Sequence, residues 1–402
     1  MAVNEPTTLP PADWMTRPGL DRLAAALGAD EGAARYVGGA VRDTLLGIAV
    51  ADIDVATIHP PQEVVRRLQA AGIKAIPTGI AHGTITAVAD GTVVEVTTLR
   101  RDVTTDGRHA EVAFTDDWQA DAARRDFTMN ALYADMGGRR LHDYFGGITD
   151  LRAGRVRFID DPLRRIAEDH LRILRFFRFL ARFGDAPDAE GLAACIARAN
   201  DLMALSRERI ADELLKLLVA RDAVGVLRLM VDNAIWQPVL PELDADAVDR
   251  LDALVATETA AGIAPDPIRR LAALLDANNA EGVTARLKLS NVQRKRIALA
   301  LGNGTDSPLA LGYRLGVEGA VDRLLLAGDP AAAAMVAGWT RPTLPLSGGA
   351  LVERGLARGP DVARALRQVE DRWIAEGFPD ADRTAEISDA VVAQALRASS
   401  NA

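Results

Sequence analysis

Two acidic side chains, Asp52 and Asp54, alternate at the end of the stretch YVGGAVRDTLLGIAVADIDVAT, which spans residues 36–57. The segment DIDVAT predicts a β-strand, so both carboxylates project from one face while Ile53 and Val55 face the core. Such carboxylates repel, and each raises the pKa of the other unless a cation neutralises them. Mg²⁺ suits this arrangement, because it takes one or two protein carboxylates and completes its shell with water and substrate phosphates. The alternative is a pair of solvated acids at a sheet edge.

A glycine turn and an arginine precede this acidic pair. Gly38 and Gly39 follow the predicted strand RYV, and glycine lets backbone N–H groups approach an anion closely. Arg42 then lies within reach of the same phosphates. A D-x-D pattern alone is a weak signal, but the order Gly-Gly, Arg-Asp, D-x-D favours a site for metal and phosphate. We therefore predict that Gly38, Gly39 and Arg42 bind a nucleotide and that Asp52 and Asp54 are catalytic metal ligands.

A second stretch, RRDFTMNAL, places Arg124 and Arg125 side by side. Arginine can bind phosphate bidentately, so both are candidate nucleotide-binding residues. Asp126 could orient an arginine, and Asn130 could cap or hold the loop. The alternative for this stretch is a buried Arg–Asp pair that stabilises the domain.

A third stretch, EDHLRILRFFRF, spans residues 168–179. Asp169 and Arg172 are three residues apart and would be neighbours on a helix surface, with Arg175 one turn later. A carboxylate beside a guanidinium offers the acceptors and donors that are needed to read the Watson–Crick edge of a base. The alternative is an exposed ion pair worth about a few tenths of a kcal/mol.

A predicted hairpin and a long polar segment separate the first two stretches. The hairpin GTITAVADGTVVEVTTLR turns at Asp90-Gly91, and Glu95 near its end is a candidate third carboxylate for metal or hydroxyl activation. Residues 99–121 are polar and too long for a tight connection, which is typical of a mobile catalytic loop or of plain disorder.

The elements that position these residues form a mixed head and a helical body. Strands and helices alternate between residues 34 and 157, which indicates an α/β or α+β domain. The segment that follows, beginning at Asp160 or Asp161 as N-cap with Pro162 in the first turn, predicts an amphipathic helix of about twenty residues. Predicted boundaries are a loosely attached lead-in over 1–30, a head over 31–157, a neck over 158–220, and a body and tail over 221–402.

Composition limits the class of protein. Only 4% of the 402 residues are aromatic, which favours helices over β-sandwiches, and the single cysteine, Cys195, excludes an internal disulfide and fits a reducing compartment. We find no signal-peptide pattern and no apolar run of membrane-spanning length, so we predict a cytoplasmic protein without a membrane partner. Five histidines, the last at 170, are too few for a His-Asp phosphohydrolase domain, and with one cysteine they exclude a Cys/His zinc site.

Charge is unevenly distributed along the chain. The net charge of −9 argues mildly against a nucleic-acid partner, because phosphate binding depends on Lys and Arg. Residues 151–183, however, contain nine arginines against four acids. A codon bias toward arginine accounts for the global excess over lysine but not for this local cluster.

These stretches, in this order, resemble the signature of the class II nucleotidyltransferases, the polymerase-β-like branch that contains tRNA CCA-adding enzymes and bacterial poly(A) polymerases. The matching motifs are G-G-x-V-R-D-x-L-L-G with D-x-D-x-x-T, then RRDFTMNAL, the E-D-x-x-R element, and SRERIADELLKLL over residues 206–218. The likeness covers roughly Tyr36 to Val219, with a weaker one over 346–366. It implies an α+β fold, with a polymerase-β-like head of mixed sheet and helices followed by an all-α neck, body and tail.

The resemblance also implies roles for these residues. Asp169 and Arg172 would form an amino-acid template that selects CTP or ATP, while Arg125, or else Arg124, would contact the nucleotide. Arg175 and Arg178 would support the nucleotide or its phosphates. On a helical wheel, however, Arg178 lies roughly opposite Asp169.

The predicted reaction is template-independent nucleotidyl transfer. Two Mg²⁺ ions on Asp52 and Asp54 would activate the 3′-hydroxyl of a tRNA and stabilise the leaving pyrophosphate. The arginine-rich neck and the helical body would bind the tRNA by shape and phosphate. No obligate protein partner is evident.

Within the family, activities divide into complete CCA addition, CC-only addition, A-only addition and poly(A) tailing. The long polar loop argues against CC-only addition, although Gly107-Arg108-His109 is followed by Ala110 where the family usually has proline. No basic tail follows residue 300, which favours CCA addition over poly(A) tailing. A non-catalytic RNA-binding protein is disfavoured by the intact motifs, and a small-molecule nucleotidyltransferase by the long helical body.

Overall fold

The computed structural model describes residues 7–105, 110–304 and 306–400. It divides the chain into two compact units, the first ending at Pro241 and the second beginning at Glu242. The first unit contains a mixed β-sheet with helices, and the described part of the second is helical. This is the α+β class that the sequence predicts.

All nine strands of the described residues lie in the first unit. They are β1 (Ala34–Val37), β2 (Asp54–Thr57), β3 (Lys74–Gly79), β4 (Thr84–Ala89), β5 (Thr92–Thr98), β6 (Arg100–Thr105), β7 (Ala110–Phe114), β8 (Leu132–Asp135) and β9 (Leu141–Asp143). Seven of them form one sheet in the order β3-β4-β5-β2-β1-β8-β9. Strands β2 and β5 are parallel, and this pairing places Asp54 opposite Glu95.

Ten α-helices belong to the described residues of the first unit. They are α1 (Leu20–Ala26), α2 (Gly39–Leu45), α3 (Pro61–Ala70), α4 (Trp118–Ala123), α5 (Gly147–Arg152), α6 (Pro162–Glu168), α7 (Leu171–Phe183), α8 (Ala189–Ala197), α9 (Arg207–Leu218) and α10 (Ala223–Asp232). Their boundaries follow predicted signals, because Asp161 caps α6 and Ser206 caps α9 through its side chain.

The predicted hairpin is confirmed. Strands β4 and β5 pair along their whole length, from Thr84 opposite Thr97 to Ala89 opposite Thr92. Asp90 and Gly91 both have positive φ, at 49° and 86°. Two consecutive positive φ values match the right-handed twist of the strands, which is why Asp-Gly is favoured at such turns.

The polar segment over residues 99–121 is not a plain loop, which corrects the sequence-based expectation. Strands β6 and β7 form a separate two-stranded antiparallel sheet, followed by α4. The sequence RRDVTT contains one Val and two Thr, and AEVAF contains one Val and one Phe, which are residue types that favour extended backbone. The residues Gly107-Arg108-His109 of that predicted loop lie outside the described residues.

The expected loose attachment of the lead-in is also wrong for its described part. Leu9 and Trp14 are buried, and the backbone N–H of Leu9 donates to the carbonyl of Arg139 at 2.7 Å. The indole N–H of Trp14 donates to the hydroxyl of Thr44 at 2.9 Å. Burial of two large apolar side chains outweighs the proline-rich, aperiodic character of this segment.

A cluster of phenylalanine rings packs α7 against the RRDFT segment. Phe127 lies 5.0 Å from Phe158 and 5.2 Å from Phe179, and Phe158 stacks on Phe176 at 5.6 Å. Ring pairs in this range add to the stabilisation from burial. The cluster therefore holds the neck helix, and the arginines on it, in a fixed position beside the sheet.

The second unit consists of ten α-helices in its described residues. They are α11 (Ala245–Ala261), α12 (Pro267–Ala273), α13 (Ala280–Arg286), α14 (Asn291–Ala300), α15 (Pro308–Leu315), α16 (Val317–Leu326), α17 (Pro330–Ala337), α18 (Gly348–Glu353), α19 (Pro360–Ala375) and α20 (Ala381–Ser400). One apolar cluster of this unit contains the buried side chains of Leu351, Val369 and Val391. Within the described residues, no helix combines the length and apolar character that crossing a bilayer requires.

Candidate active site

Nine of the twelve residues predicted from the sequence to form the site line one cavity of about 360 Å³ in the first unit. They are Gly38, Gly39, Arg42, Asp54, Arg124, Arg125, Asp169, Arg172 and Arg175. Asp126, Asn130 and Phe179 complete the lining. Three separate stretches of sequence thus meet at one concave surface.

The glycine turn forms one end of the cavity. Gly38 has φ of 64°, a backbone conformation that residues with a side chain rarely adopt, so the turn favours glycine. The N–H of Gly38 donates to the carbonyl of Leu132 at 3.1 Å. The N–H of Gly38 is therefore already used, so any anion at this turn would meet the N–H groups that begin α2 at Gly39.

Arg42 is buried beside this turn and is held on several sides. Its Nη1 donates to Asn130 Oδ1 at 2.6 Å, its Nη2 lies 2.7 Å from Asp43 Oδ1, and its guanidinium stands 4.3 Å above the ring of Phe183. Burial lowers the pKa of Arg42 below its ordinary value, although Asp43 opposes the shift. The guanidinium is thus fixed in orientation before any anion arrives.

Asn130 and Asp126 connect Arg42 to the neck helix. The amide of Asn130 donates to Asp126 Oδ1 at 2.9 Å, and Asp126 Oδ2 accepts from Arg175 Nη2 at 2.5 Å. Asp126 therefore orients an arginine, as expected, and that arginine is Arg175. Burial would raise the pKa of Asp126, but Arg175 outweighs it, and the pKa is lowered.

Asp121 holds both arginines of the second stretch, and the sequence analysis missed it. Its buried carboxylate pairs with Arg124 at 2.8 Å and with Arg125 at 3.2 Å, and accepts from the hydroxyl of Tyr133 at 2.7 Å. Burial would raise the pKa of Asp121, but Arg125 and Arg124 lower it to about 2. These two ion pairs could have been predicted from the sequence, because residues three and four apart on a helix are neighbours.

Asp169 and Arg172 line the cavity together but do not form the predicted i,i+3 helical pair. Asp169 has extended backbone at the break between α6 and α7, and its Oδ1 accepts from the N–H of Leu171 at 3.1 Å. An aspartate side chain that accepts from the backbone N–H two residues on forms a local turn that competes with the helix, which is why the single predicted helix is two. Arg172 instead pairs with Glu168 at 2.7 Å.

Arg178 lies away from the cavity. It points to Glu213 on α9, with Nε 2.5 Å from a carboxylate oxygen, and stands over the ring of Phe179 at 4.5 Å. This placement agrees with the helical wheel, on which Arg178 was the least favourable contact. A direct role for it in nucleotide binding finds no support in the geometry.

The predicted acidic pair is only partly as expected. Strand β2 begins at Asp54, so Asp52 is an exposed residue before the strand, while Ile53 and Val55 are buried as predicted. Burial raises the pKa of Asp54 to about 6, and the charges of Glu95 and Asp52 add to the shift. The three carboxylates thus act on one another, although Asp52 and Glu95 lie outside the cavity lining.

The donor set around Asp54 fits a divalent cation only if a substrate supplies further oxygens. Within the described part of the chain, no three His, Cys, Asp or Glu side chains are placed to hold a metal. Asp54 nevertheless presents a half-buried carboxylate beside arginines that can receive phosphates, and its pKa is raised by burial and then by two acidic neighbours. Carboxylates with phosphate oxygens and water are what Mg²⁺ binds.

The raised pKa of Asp54 predicts a pH-dependent stability difference. The folded state holds this proton more tightly than the unfolded state does. Ionisation of Asp54 therefore lowers the stability of the folded state as the pH rises from 3.8 to about 6, and it does not affect stability below 3.8. In metal-free buffer, Asp54→Asn should therefore have a higher Tm than the wild type at about pH 8 and an equal Tm below about pH 4. Calorimetry of both proteins at the two pH values tests this, and a less stable variant at the higher pH would contradict it.

Comparison with protein families finds two matching domain models. The Poly A polymerase head domain matches residues 34–157, and a probable RNA and SrmB-binding site of polymerase A matches residues 187–246. The first match contains β1 to β9 and the segments that carry Arg42, Asp54 and Arg125.

Relatives match over most of the chain. The mitochondrial CCA tRNA nucleotidyltransferase 1 of Mus musculus is 35% identical, over 90% of this chain and 87% of the relative. The CCA-adding enzyme of Levilactobacillus brevis is 31% identical, over 86% and 91%. A crystal structure of the Bacillus stearothermophilus CCA-adding enzyme in complex with CTP covers 96% of this chain and all of its own, with a TM-score of 0.74 and 26% identity.

Proposed function

The chain belongs to the family of CCA tRNA nucleotidyltransferases, and we propose that its cavity is where CTP and ATP are joined to the 3′ end of a tRNA. The observation that carries this proposal is the convergence of Gly39, Arg42, Asp54, Asp169 and Arg172 on one cavity. It brings together a phosphate-binding turn, an acidic group for a metal and a polar pair for a base.

The triphosphate would bind at the glycine end. Arg42 is already immobilised by Asn130 and Asp43, so little side-chain entropy is lost when it binds phosphate. Arg125 is held by Asp121 and lies close to Gly38, which places a second guanidinium at the same end. We propose these two arginines as the main triphosphate ligands, with Arg124 second to Arg125.

The base would be selected at the other end. Asp169 can only accept hydrogen bonds when ionised, whereas Arg172 can only donate them. An acceptor next to a donor suits the amino group and ring nitrogen that cytosine and adenine share, and it opposes the carbonyl that uracil and guanine carry. This pairing supports the choice of CTP and ATP without a nucleic-acid template.

We propose that Asp52 and Asp54 hold Mg²⁺, with Glu95 as an outer carboxylate. When bound, Mg²⁺ would neutralise the phosphate oxygens and stabilise the pyrophosphate as it leaves. The chain itself contributes the orientation of the nucleotide, because Arg42, Arg125 and Arg175 are all held by carboxylates or amides before it binds.

The arginine cluster of residues 151–183 is less available to RNA than the sequence suggested. Most of these arginines pair with carboxylates within the first unit. The pairs are Arg157–Asp150, Arg164–Asp160, Arg165–Glu168, Arg172–Glu168, Arg175–Asp126, Arg178–Glu213 and Arg182–Asp43. We still propose that the neck and the helical body bind the tRNA, but by shape more than by a free basic stripe.

The predicted domain boundaries and the cytoplasmic location stay predictions.

Poly(A) tailing is the alternative that shares this head domain, and product length distinguishes the two. We expect tRNA ending before CCA to gain two C residues and one A, tRNA ending at C to gain C then A, and tRNA ending at CC to gain A alone. Each nucleotide is supplied separately and together, and products are resolved at single-nucleotide length. Long tails from ATP alone would favour the alternative, and addition of C alone or A alone would identify a partial activity.

A further inference from the structure

The last helix within the predicted neck, α9, carries a motif for which nucleotide binding has so far given no role. Its sequence RERIADELLKLL begins at the Ser206 cap and packs along α7. From this helix Arg209 reaches Asp169, and its Nη2 lies 3.1 Å from Oδ1 and 3.0 Å from Oδ2. Both side chains are partly exposed, at 42% and 33%, so the pair borders the open cavity and not the core.

Asp169 needs an external partner to hold its orientation. It stands at the break between two helices, and the bond that it accepts from the N–H of Leu171 at the start of α7 engages only Oδ1. Arg209 contacts both oxygens through one nitrogen, Nη2, and so restricts the rotation of the carboxylate. We infer that Arg209 is a positioning residue for base selection, which sets Asp169 as an acceptor toward the nucleotide.

The number of remaining acceptor sites agrees with this role. An ionised carboxylate has about four lone-pair sites. The N–H of Leu171 and the two contacts with Arg209 use three of them, which leaves room for one further donor. Cytosine and adenine each present one amino group at the edge to be read, whereas uracil and guanine present a carbonyl that would face the carboxylate.

Without Arg209, the Asp169 side chain could rotate. Its carboxylate would then no longer be held where it would repel the carbonyl group of uracil or guanine. This inference rests on the proposed function, in which Asp169 selects the base. It predicts a loss of discrimination and not a general loss of activity, because Arg209 is outside the cavity lining and the phosphate-binding arginines do not contact it.

The test compares Arg209→Gln with Arg209→Lys and with Lys216→Gln. Lys216 is the matched control, because it is an exposed cation on the same helix that pairs with an aspartate, Asp212, at 2.6 Å. The readout is the ratio of kcat/KM for CTP against UTP on tRNA lacking CCA, and for ATP against GTP on tRNA ending at CC. We expect Arg209→Gln to lower both ratios by at least about tenfold, and Arg209→Lys and Lys216→Gln to change them by less than about threefold.

A double variant separates positioning from a general structural effect. If Arg209 acts through Asp169, Asp169→Asn combined with Arg209→Gln should discriminate no worse than Asp169→Asn alone. Additive losses, or a single variant that lowers kcat for every nucleotide while keeping the ratios, would overturn the inference. A wild-type protein that extends no tRNA would overturn the proposed function as well, whereas a selective wild type with an equally selective Arg209→Gln would overturn this inference alone.

Discussion

Asp54→Asn should lower the rate of nucleotidyl transfer by about a thousandfold while leaving CTP binding nearly unchanged. Asparagine keeps the shape of the side chain but removes the charge that would hold Mg²⁺, and a metal ion contributes several kcal/mol to transition-state stabilisation. A loss of roughly 4 kcal/mol corresponds to a factor of about a thousand. Binding should persist because Arg42 and Arg125 are held by other residues, Asn130 and Asp121.

Single-turnover transfer of labelled CTP to tRNA measures the rate, and calorimetric titration with CTP measures binding. Glu95→Gln is the comparator, because Glu95 lies opposite Asp54 in the neighbouring strand but is exposed. If Glu95 is an outer carboxylate, we expect Glu95→Gln to lower the transfer rate by only about tenfold. Unfolding cannot account for an inactive Asp54→Asn, since removing a buried charge should stabilise the protein at neutral pH. A variant that keeps more than about a tenth of the wild-type rate would exclude Asp54 as a principal metal ligand.

Local spacing predicted most of the cavity. The turn at Gly38, the acid at Asp54 and the two arginines of RRDFT each belong to short-range patterns. Asp52 is the exception, because it precedes β2 and lies outside the cavity lining. Asp121 also belongs to a short-range pattern, because its contacts with Arg124 and Arg125 are made within one turn of helix. It was missed only because the preceding polar segment was taken for a loop.

Contacts between distant segments could not be predicted in this way. Asn130 holds Arg42 across 88 residues, and Arg209 holds Asp169 across 40. Both depend on how α2, α7 and α9 pack, which is determined by buried side chains and not by any local pattern. The break at Asp169 is an intermediate case, because aspartate favours helix caps, yet the amphipathic period runs through it without interruption.

Glu258→Gln should destabilise the second unit by about 3–5 kcal/mol, the largest stability effect that we expect. Glu258 on α11 pairs with Arg269 and Arg270 on α12, each at 2.8 Å, and all three side chains are at least nine-tenths buried. Arg269 also contacts Asp322, which is paired with Arg296, so one buried network joins α11, α12, α14 and α16. Neutral glutamine would leave two buried guanidiniums with a reduced counter-charge, and removing one charge from a buried ion-pair network costs far more than removing one at the surface.

Glu281→Gln is the matched control for this change, because Glu281 is 91% exposed and lies 3.9 Å from Arg294. It should alter the unfolding free energy by less than about 0.5 kcal/mol, as exposed ion pairs contribute little. Hydrogen exchange of α11 and α12 amides at increasing urea reports the stability of this unit separately from the first. A loss below about 1 kcal/mol for Glu258→Gln would mean that solvent or neighbouring acids compensate the two arginines, and that the network does not hold the four helices together.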